Sequence, residues 1–307
     1  MTPLTTDFFY WLLNMSLTAS GVGLVLLGLR RVQRLPRFAV YSLWSLVLLR
    51  LVVPFSVTTR VSLLNLIASL TSRSVGVPGN SSPYTTVNYI MAASDYAPVL
   101  YKTPTLQRVF ETAAVVWGVG AVIVWAVLIG LYVLSRRSLR GAKPLGEGVF
   151  ESDRVDTPLV VGVFRPRILV PAGIDPETLR WALLHERVHL RRRDNLSRAV
   201  ALAVCGLHWF NPLVWIFLRA FLQDMESACD AGVLRGRPEA EKKAYARALL
   251  DYATRATSSP VPAFGGGNVR KRIGLLLSYR SYTLAALVGF VALWVAIAVA
   301  LLTNAAR

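Results

Sequence analysis

The 307-residue chain is 54% hydrophobic and only 17% charged, with a mean hydropathy of +0.48. Those values exclude an ordinary soluble domain and indicate a membrane protein with some soluble mass. The net charge of +17 would suit a nucleic-acid binder, but no recognition motif accompanies it, and in membrane proteins excess Lys and Arg mark cytoplasmic loops.

In chain order, four apolar stretches reach the roughly 20 residues a helical span needs: 8–29, 38–57, 112–134 and 283–302. No basic segment precedes the first, so it reads as a retained span rather than a cleavable signal. Arg30, Arg31, Arg34 and Arg37 follow the first span, and Arg136, Arg137, Arg140 and Lys143 follow the third. Arg270, Lys271, Arg272 and Arg280 precede the fourth. These clusters share one side if both termini lie outside, which makes that side the cytoplasm. Segment 58–111 is then an extracytoplasmic loop, either a small sensor or a connection. Arg50, near the outer end of the second span, is expected to snorkel to the headgroups.

Residues 144–170 combine short β-branched runs with Gly and Pro, which predicts a small antiparallel sheet. Its edge could pair with an extended peptide backbone, or the sheet could merely cover the helix that follows.

That helix carries the chemistry. Asp175 is a good N-cap, Pro176 suits the first position, and Glu177 favours the positive end of the dipole. His185-Glu186-Arg187-Val188-His189 follows, the pattern HExxH. Histidines four apart share a helix face and can hold one zinc ion, with Glu186 placed to take a proton from activated water. A pattern with a nearby Gly and third His fails, because Arg192 and Asn195 stand at those positions. A Glu from a later helix fits instead: Glu226 as ligand, with Asp230 as partner to a ligating histidine.

Residues 199–217 are apolar enough to suggest another span, but crossing there would separate Glu226 from His185. Gly206, His208, Asn211 and Pro212 interrupt the stretch, predicting two helices that form a buried or membrane-dipping hairpin. Asp194 is expected to cap the first helix, and His208 to be structural rather than a ligand. Cys205 and Cys229 offer no disulfide framework and are expected reduced. The Ser, Pro and Gly content of 257–272 reads as a linker, either a site of self-cleavage or an ordinary connector.

Together, His185 to Asp194, His208-Trp209-Phe210-Asn211-Pro212, Glu226-Ser227-Ala228-Cys229-Asp230 and Arg272-Ile273 resemble the integral-membrane zinc metallopeptidases of the β-lactam sensor-transducer (antirepressor) family. The resemblance covers nearly the whole chain. It implies a mostly α membrane protein with four transmembrane helices and a cytoplasmic gluzincin-type α+β zinc metallopeptidase domain between the third and fourth. The layout is helices 1 and 2 in 1–57, the outer loop in 58–111, helix 3 in 112–135, the zinc domain in 136–282 and helix 4 in 283–303. The resemblance also implies Zn2+ held by His185, His189 and Glu226, with Glu186 as catalytic base and Asp230 in support. Partners it implies are the lipid bilayer and a cytoplasmic protein substrate, such as a DNA-binding repressor, with a second copy of the chain as a further candidate. Direct nucleic-acid binding is not expected. Family members carry a penicillin-binding sensor domain after the fourth span, whereas here Thr303-Asn304-Ala305-Ala306-Arg307 follows, so β-lactam sensing is not carried over. The competing reading is a non-catalytic membrane scaffold, against which Glu186 argues. No oxyanion-stabilising group is identifiable from sequence; Tyr245 and Tyr252 are candidates.

Overall fold

Unbroken apolar sequence gives the first three helices their length: α1 (Pro3–Leu29), α2 (Arg37–Val52) and α3 (Pro104–Arg137). The computed structural model describes residues 3–31, 36–53, 58–59, 104–137, 139–256, 272–274, 288–292, 294–296, 298 and 304–305. Two helical segments, Thr5–Leu29 and Arg108–Arg137, are long and apolar enough to cross a membrane. At 16 residues, α2 is shorter than the expected second span; extended backbone at Pro36 and Val53 bounds it. Most of the expected fourth span, the linker at 257–271 and nearly all of the outer loop lie outside the described residues. Along α3, Val116, Val119, Val122, Ile123 and Val127 are exposed. A continuous apolar face of that size suits lipid rather than water. Arg50 is buried, not snorkelling as its position suggested.

A four-stranded sheet follows: β1 (Lys143–Gly146), β2 (Val149–Ser152), β3 (Leu159–Val161) and β4 (Arg167–Pro171). Its spatial order is β1-β2-β4-β3. The sheet is mixed rather than antiparallel, since β2 and β4 run parallel. Two hairpins explain this. Positive φ at Glu147 (48°) and Gly148 (77°) gives the tight turn that sets β1 against β2. The β3–β4 hairpin then docks with β4 beside β2. One face, through Val149, Ile168 and Val170, packs on Leu179, Leu183 and Leu190 of α4 (Pro176–Arg192).

Past α4 the chain makes the anticipated hairpin, α5 (Asp194–Leu207) and α6 (Pro212–Leu234), before α7 (Glu239–Ala256). Asn211 caps α6, its Oδ1 accepting from Leu213 N at 3.0 Å, and Pro212 takes the first helical position. The turn is held among the first three helices. Asn211 Nδ2 donates to Ser16 Oγ (2.8 Å) and Ser20 Oγ (2.9 Å) of α1. His208 Nε2 bonds the Leu51 carbonyl of α2 at 3.1 Å, which makes it a structural residue in this turn. Trp209 Nε1 donates to Trp117 O of α3 at 3.1 Å, and Trp117 Nε1 returns a bond to Leu207 O at 2.9 Å. The hairpin therefore runs back alongside α1, α2 and α3 and returns Glu226 to α4. A core of Leu26, Leu43, Trp44, Val47, Phe217, Phe221 and Met225 joins α1, α2 and α6.

Glycine admits the closest contact. A Cβ on Gly120 would overlap the Trp209 indole, whereas one on Gly118 would meet nothing within 4 Å. Gly120→Ala should therefore cost about 1–3 kcal/mol through overpacking and lower the melting temperature of the detergent-solubilised protein. Gly118→Ala should leave it unchanged or slightly raised. Equal melting temperatures for both variants would remove the proposed close packing of the hairpin on α3.

Candidate metal centre

The sequence of α4 begins and ends it sharply. Thr178 donates to Asp175 Oδ2 from both its backbone nitrogen (3.0 Å) and its hydroxyl (3.1 Å), and His189, Arg191 and Arg192 occupy the last turn. Arg193 then adopts left-handed backbone (φ 55°, ψ 37°), closing α4 and opening α5 at once. Asp194 is consequently not the expected cap. It is the first residue inside α5, fully buried, and its Oδ2 lies 2.7 Å from His189 Nδ1.

His185 and His189 face each other, Nε2 to Nε2, at 3.1 Å. Glu226, from α6, presents Oε2 at 3.4 Å from His185 Nε2 and Oε1 at 3.6 Å from His189 Nε2. The far ring nitrogens fix the tautomers. His189 Nδ1–H donates to Asp194. Tyr245 gives its hydroxyl proton to Asp230 Oδ1 (2.7 Å), so its oxygen accepts from His185 Nδ1–H at 2.9 Å. The two Nε2 atoms thus face the Glu226 carboxylate, and whatever neutralises the cluster, a second proton on the rings or a metal ion, must bind at Nε2. The separations of 3.1 to 3.6 Å among these three groups bracket the roughly 3.3 Å edge of a tetrahedron with about 2.0–2.1 Å bonds, the zinc–imidazole length. The donor set fits a divalent metal.

Charge tells the same story. Burial lowers the affinity of His185 for a proton, yet Cys229 and Glu226 outweigh it and raise the pKa to about 10. His189 is raised well above its ordinary value against the same burial, by Asp194, Cys229 and Glu226. Burial would raise Glu226, but the two histidines and Arg272 hold it well below the usual carboxylate range. This is a point that demands positive charge. Glu186 is half-buried beside it, and its carboxylate makes no hydrogen bond or ion pair with a described side chain. Burial raises its pKa, partly offset by His185 and His189.

A second possible third donor is Cys229. His185, His189 and Cys229 offer ligand atoms within 4.8 Å of one another. Glu226 has the better geometry, because it faces both Nε2 atoms, whereas the Cys229 sulfur lies at the other edge of the ring, 3.5 Å from His185 Nδ1. Asp230, expected to support a histidine, stands 3.4 Å from His185 Nδ1 and acts mainly through Tyr245.

Several groups carried no assigned role in the sequence. Arg272 grips Asp230 with Nε to Oδ2 (2.8 Å) and Nη2 to Oδ1 (2.7 Å), and its Nη1 lies 3.6 Å from Glu226. On the opposite side Arg198 Nη2 is 3.6 Å from Glu226 Oε1. Tyr41 of α2 donates to Asp194 Oδ1 at 3.2 Å. Asn195 Nδ2 donates to the Val160 and Gly162 carbonyls (3.1 and 2.8 Å), tying the edge strand β3 to the start of α5. The side chain of Tyr252 lies outside the described residues.

The family described as BlaR1 peptidase M56 matches residues 10–276 of the chain. The regulatory protein BlaR1 of Bacillus licheniformis is 28% identical over 139 residues, 42% of this chain and 23% of that protein. The methicillin resistance mecR1 protein of Staphylococcus aureus (strain Mu50) is 25% identical over 103 residues, 32% of this chain and 18% of that protein. The similarity thus spans less than a quarter of either relative's length.

Two outcomes check the site. Glu226→Gln should lose bound metal, measured by mass spectrometry of the purified protein, while Cys229→Ser retains it; the reverse pattern would make Cys229 the third donor. Asp194→Asn should weaken metal binding by about 10–100-fold in chelator competition, as loss of a histidine's carboxylate partner does elsewhere.

Proposed function

The chain belongs to the BlaR1 peptidase M56 family, a family of membrane signal-transducing metallopeptidases, and from that premise we propose that it is a zinc endopeptidase cutting a cytoplasmic protein. One observation carries the reading: two imidazole Nε2 atoms and the Glu226 carboxylate converge beside Glu186, whose own carboxylate makes no hydrogen bond or ion pair with a described side chain. His185, His189 and Glu226 would hold Zn2+. Bound there, zinc supplies Lewis acidity, polarising the scissile carbonyl and lowering the pKa of an attacking water. Glu186 takes the proton from that water and delivers it to the leaving amide nitrogen, a task its raised pKa favours. Asp194 and the Asp230–Tyr245 pair hold the imidazoles in the tautomer that leaves Nε2 free. Substrate backbone would approach along β3, the edge strand beside α4, taking the place of the Asn195 amide on the Val160 and Gly162 carbonyls.

The membrane frame we propose has four spans, with both termini outside and the zinc domain of 136–282 in the cytoplasm. The basic clusters after α1 and α3 support it. So does the parallel pairing of Thr58–Thr59 with Asn304–Ala305, which brings the chain beyond α2 to the chain beyond the last span. The substrate in this reading is a DNA-binding repressor, the protein itself within 257–272, or both. Matched relatives bear the names of a regulatory protein and a methicillin resistance protein, in keeping with signalling.

Expression of the wild type beside Glu186→Gln tests this. The amide is nearly isosteric but cannot accept a proton, so the variant should keep metal and lose proteolysis by at least about 10²-fold. Fragment ends within 257–272 in the wild type alone would show self-cleavage, and equal fragments in both would assign the cut to a host protease. Cleavage by Glu186→Gln at the wild-type rate would place the chemistry elsewhere. Metal binding without any cleavage by the wild type would favour a signalling scaffold.

A further inference from the structure

Among the described residues, the turn between β3 and β4 carries the least covered large apolar side chain. Phe164 is 88% exposed, and Arg165, Pro166 and Arg167 beside it are exposed too. A solitary exposed aromatic is common at a surface, but the position of this one is unusual.

The turn is fixed against the end of α3. Leu139 and Ala142, just past that helix, pack with Val155 of the β2–β3 loop and with Val161 and Leu169 of the sheet. Arg154 Nη1 donates to the Arg137 carbonyl at 3.2 Å. At Gly162, where φ is +104°, an added Cβ would lie 3.3 Å from Arg136 Nη1, so this end of the turn touches the last residues of α3. The exposed apolar surface of α3 continues through Tyr132, Val133 and Leu134. The apolar surface of α3 therefore extends to within two residues of Arg136, and the turn that carries Phe164 is tethered at that end of the helix through Gly162. The charge of the surroundings matches as well. Residues 136–167 contain seven basic and four acidic side chains, and one of the acids, Glu147, is drawn away by Arg187 at 2.7 Å. An exposed aromatic flanked by arginines at the base of a membrane helix combines the two attractions that hold a loop at a lipid surface: apolar burial and pairing with anionic headgroups.

We propose that the β3–β4 turn is a membrane anchor, Phe164 entering the cytoplasmic leaflet while Arg165 and Arg167 meet anionic phospholipid headgroups. The inference rests on the membrane topology proposed above. It fixes the edge strand β3 at the bilayer surface, so that substrate is taken from the thin aqueous layer next to the membrane.

The test uses the full chain reconstituted into phosphatidylcholine vesicles with and without phosphatidylglycerol. An environment-sensitive fluorophore is attached at Phe164→Cys and, separately, at Val122→Cys on the lipid face of α3 and Glu239→Cys at the exposed start of α7; the native cysteines are both buried. The label at 164 should be quenched by doxyl-labelled lipid and shielded from aqueous iodide, as at 122 and unlike 239. Arg165→Gln with Arg167→Gln should reduce the lipid quenching, and so should omission of phosphatidylglycerol. A label at 164 that behaves like 239 while 122 reports lipid overturns the anchor and leaves the topology standing. Shielding from iodide without lipid quenching also overturns it, since a protein surface would then cover Phe164. A water-exposed label at 122 would overturn the topology itself.

Discussion

The site depends on four carboxyl groups buried inside the protein, each held by fixed partners. Asp194, Asp224, Glu226 and Asp230 are all at most 7% exposed. An uncompensated carboxylate at such depth costs several kcal/mol. Each is compensated by a fixed partner: Asp194 by His189 and Tyr41, Asp230 by Arg272 and Tyr245, Asp224 by Arg30 and Trp44. Glu226 has the two imidazoles and, at 3.6 Å, Arg198 and Arg272. Compensation and function are the same arrangement here. Two of the four, Asp194 directly and Asp230 through Tyr245, also hold the Nδ1 protons in place, and only then do the Nε2 atoms point at one another.

This explains which parts of the site were legible in the sequence. Histidines four apart share a face because helix geometry is rigid and local, so His185 and His189 could be paired directly. Asp230 follows Glu226 by one turn for the same reason. Asp194 was misread because an Asp ahead of an apolar run suits an N-cap as well as a buried partner. Only the left-handed Arg193 decides between them, by taking the cap position itself. Tyr245 was visible only as an oxyanion candidate with no position, and Arg272 only as one of a basic cluster and as part of a resemblance. Their positions depend on how distant segments pack onto α6, and no periodicity reports that. The sheet shows the same division. Each hairpin follows from local turn chemistry, whereas the parallel docking of β2 on β4 depends on α4 and on the residues after α3.

The hairpin of α5 and α6 resolves a conflict between composition and chemistry. Its apolar sequence would favour crossing a bilayer, but Glu226 must return to the side of His185. Polar residues at the turn make the return possible, because a chain reversal exposes backbone groups that lipid cannot satisfy. Asn211 both caps α6 and bonds two serines of α1, while His208 takes a carbonyl of α2, Trp209 takes one of α3, and the Trp117 indole of α3 donates to the Leu207 carbonyl of α5. Those bonds also fix the length of the hairpin relative to the helices around it, and hence the height of Glu226 opposite α4.

Helix α2 is the remaining constraint, and it touches the site twice. Tyr41 and Trp44 lie one turn apart on one face, the first bonding Asp194 and the second Asp224. Asp194 supports His189 directly, and Asp224 precedes Glu226 by two residues on α6. The Tyr41 hydroxyl is already 3.2 Å from its acceptor, so a shift of about 1 Å would break that bond. The Tyr41 ring, in contrast, stays lodged between Phe221 and the Arg192 guanidinium, at 5.4 and 4.6 Å. A small movement of α2 along its axis would therefore loosen the orientation of His189 before it disturbed the packing of the helices. A stimulus acting on α2 would change the site only as far as it favoured one of those two arrangements over the other. The coupling needs no rearrangement of α4, because the imidazole that matters is held from outside its own helix.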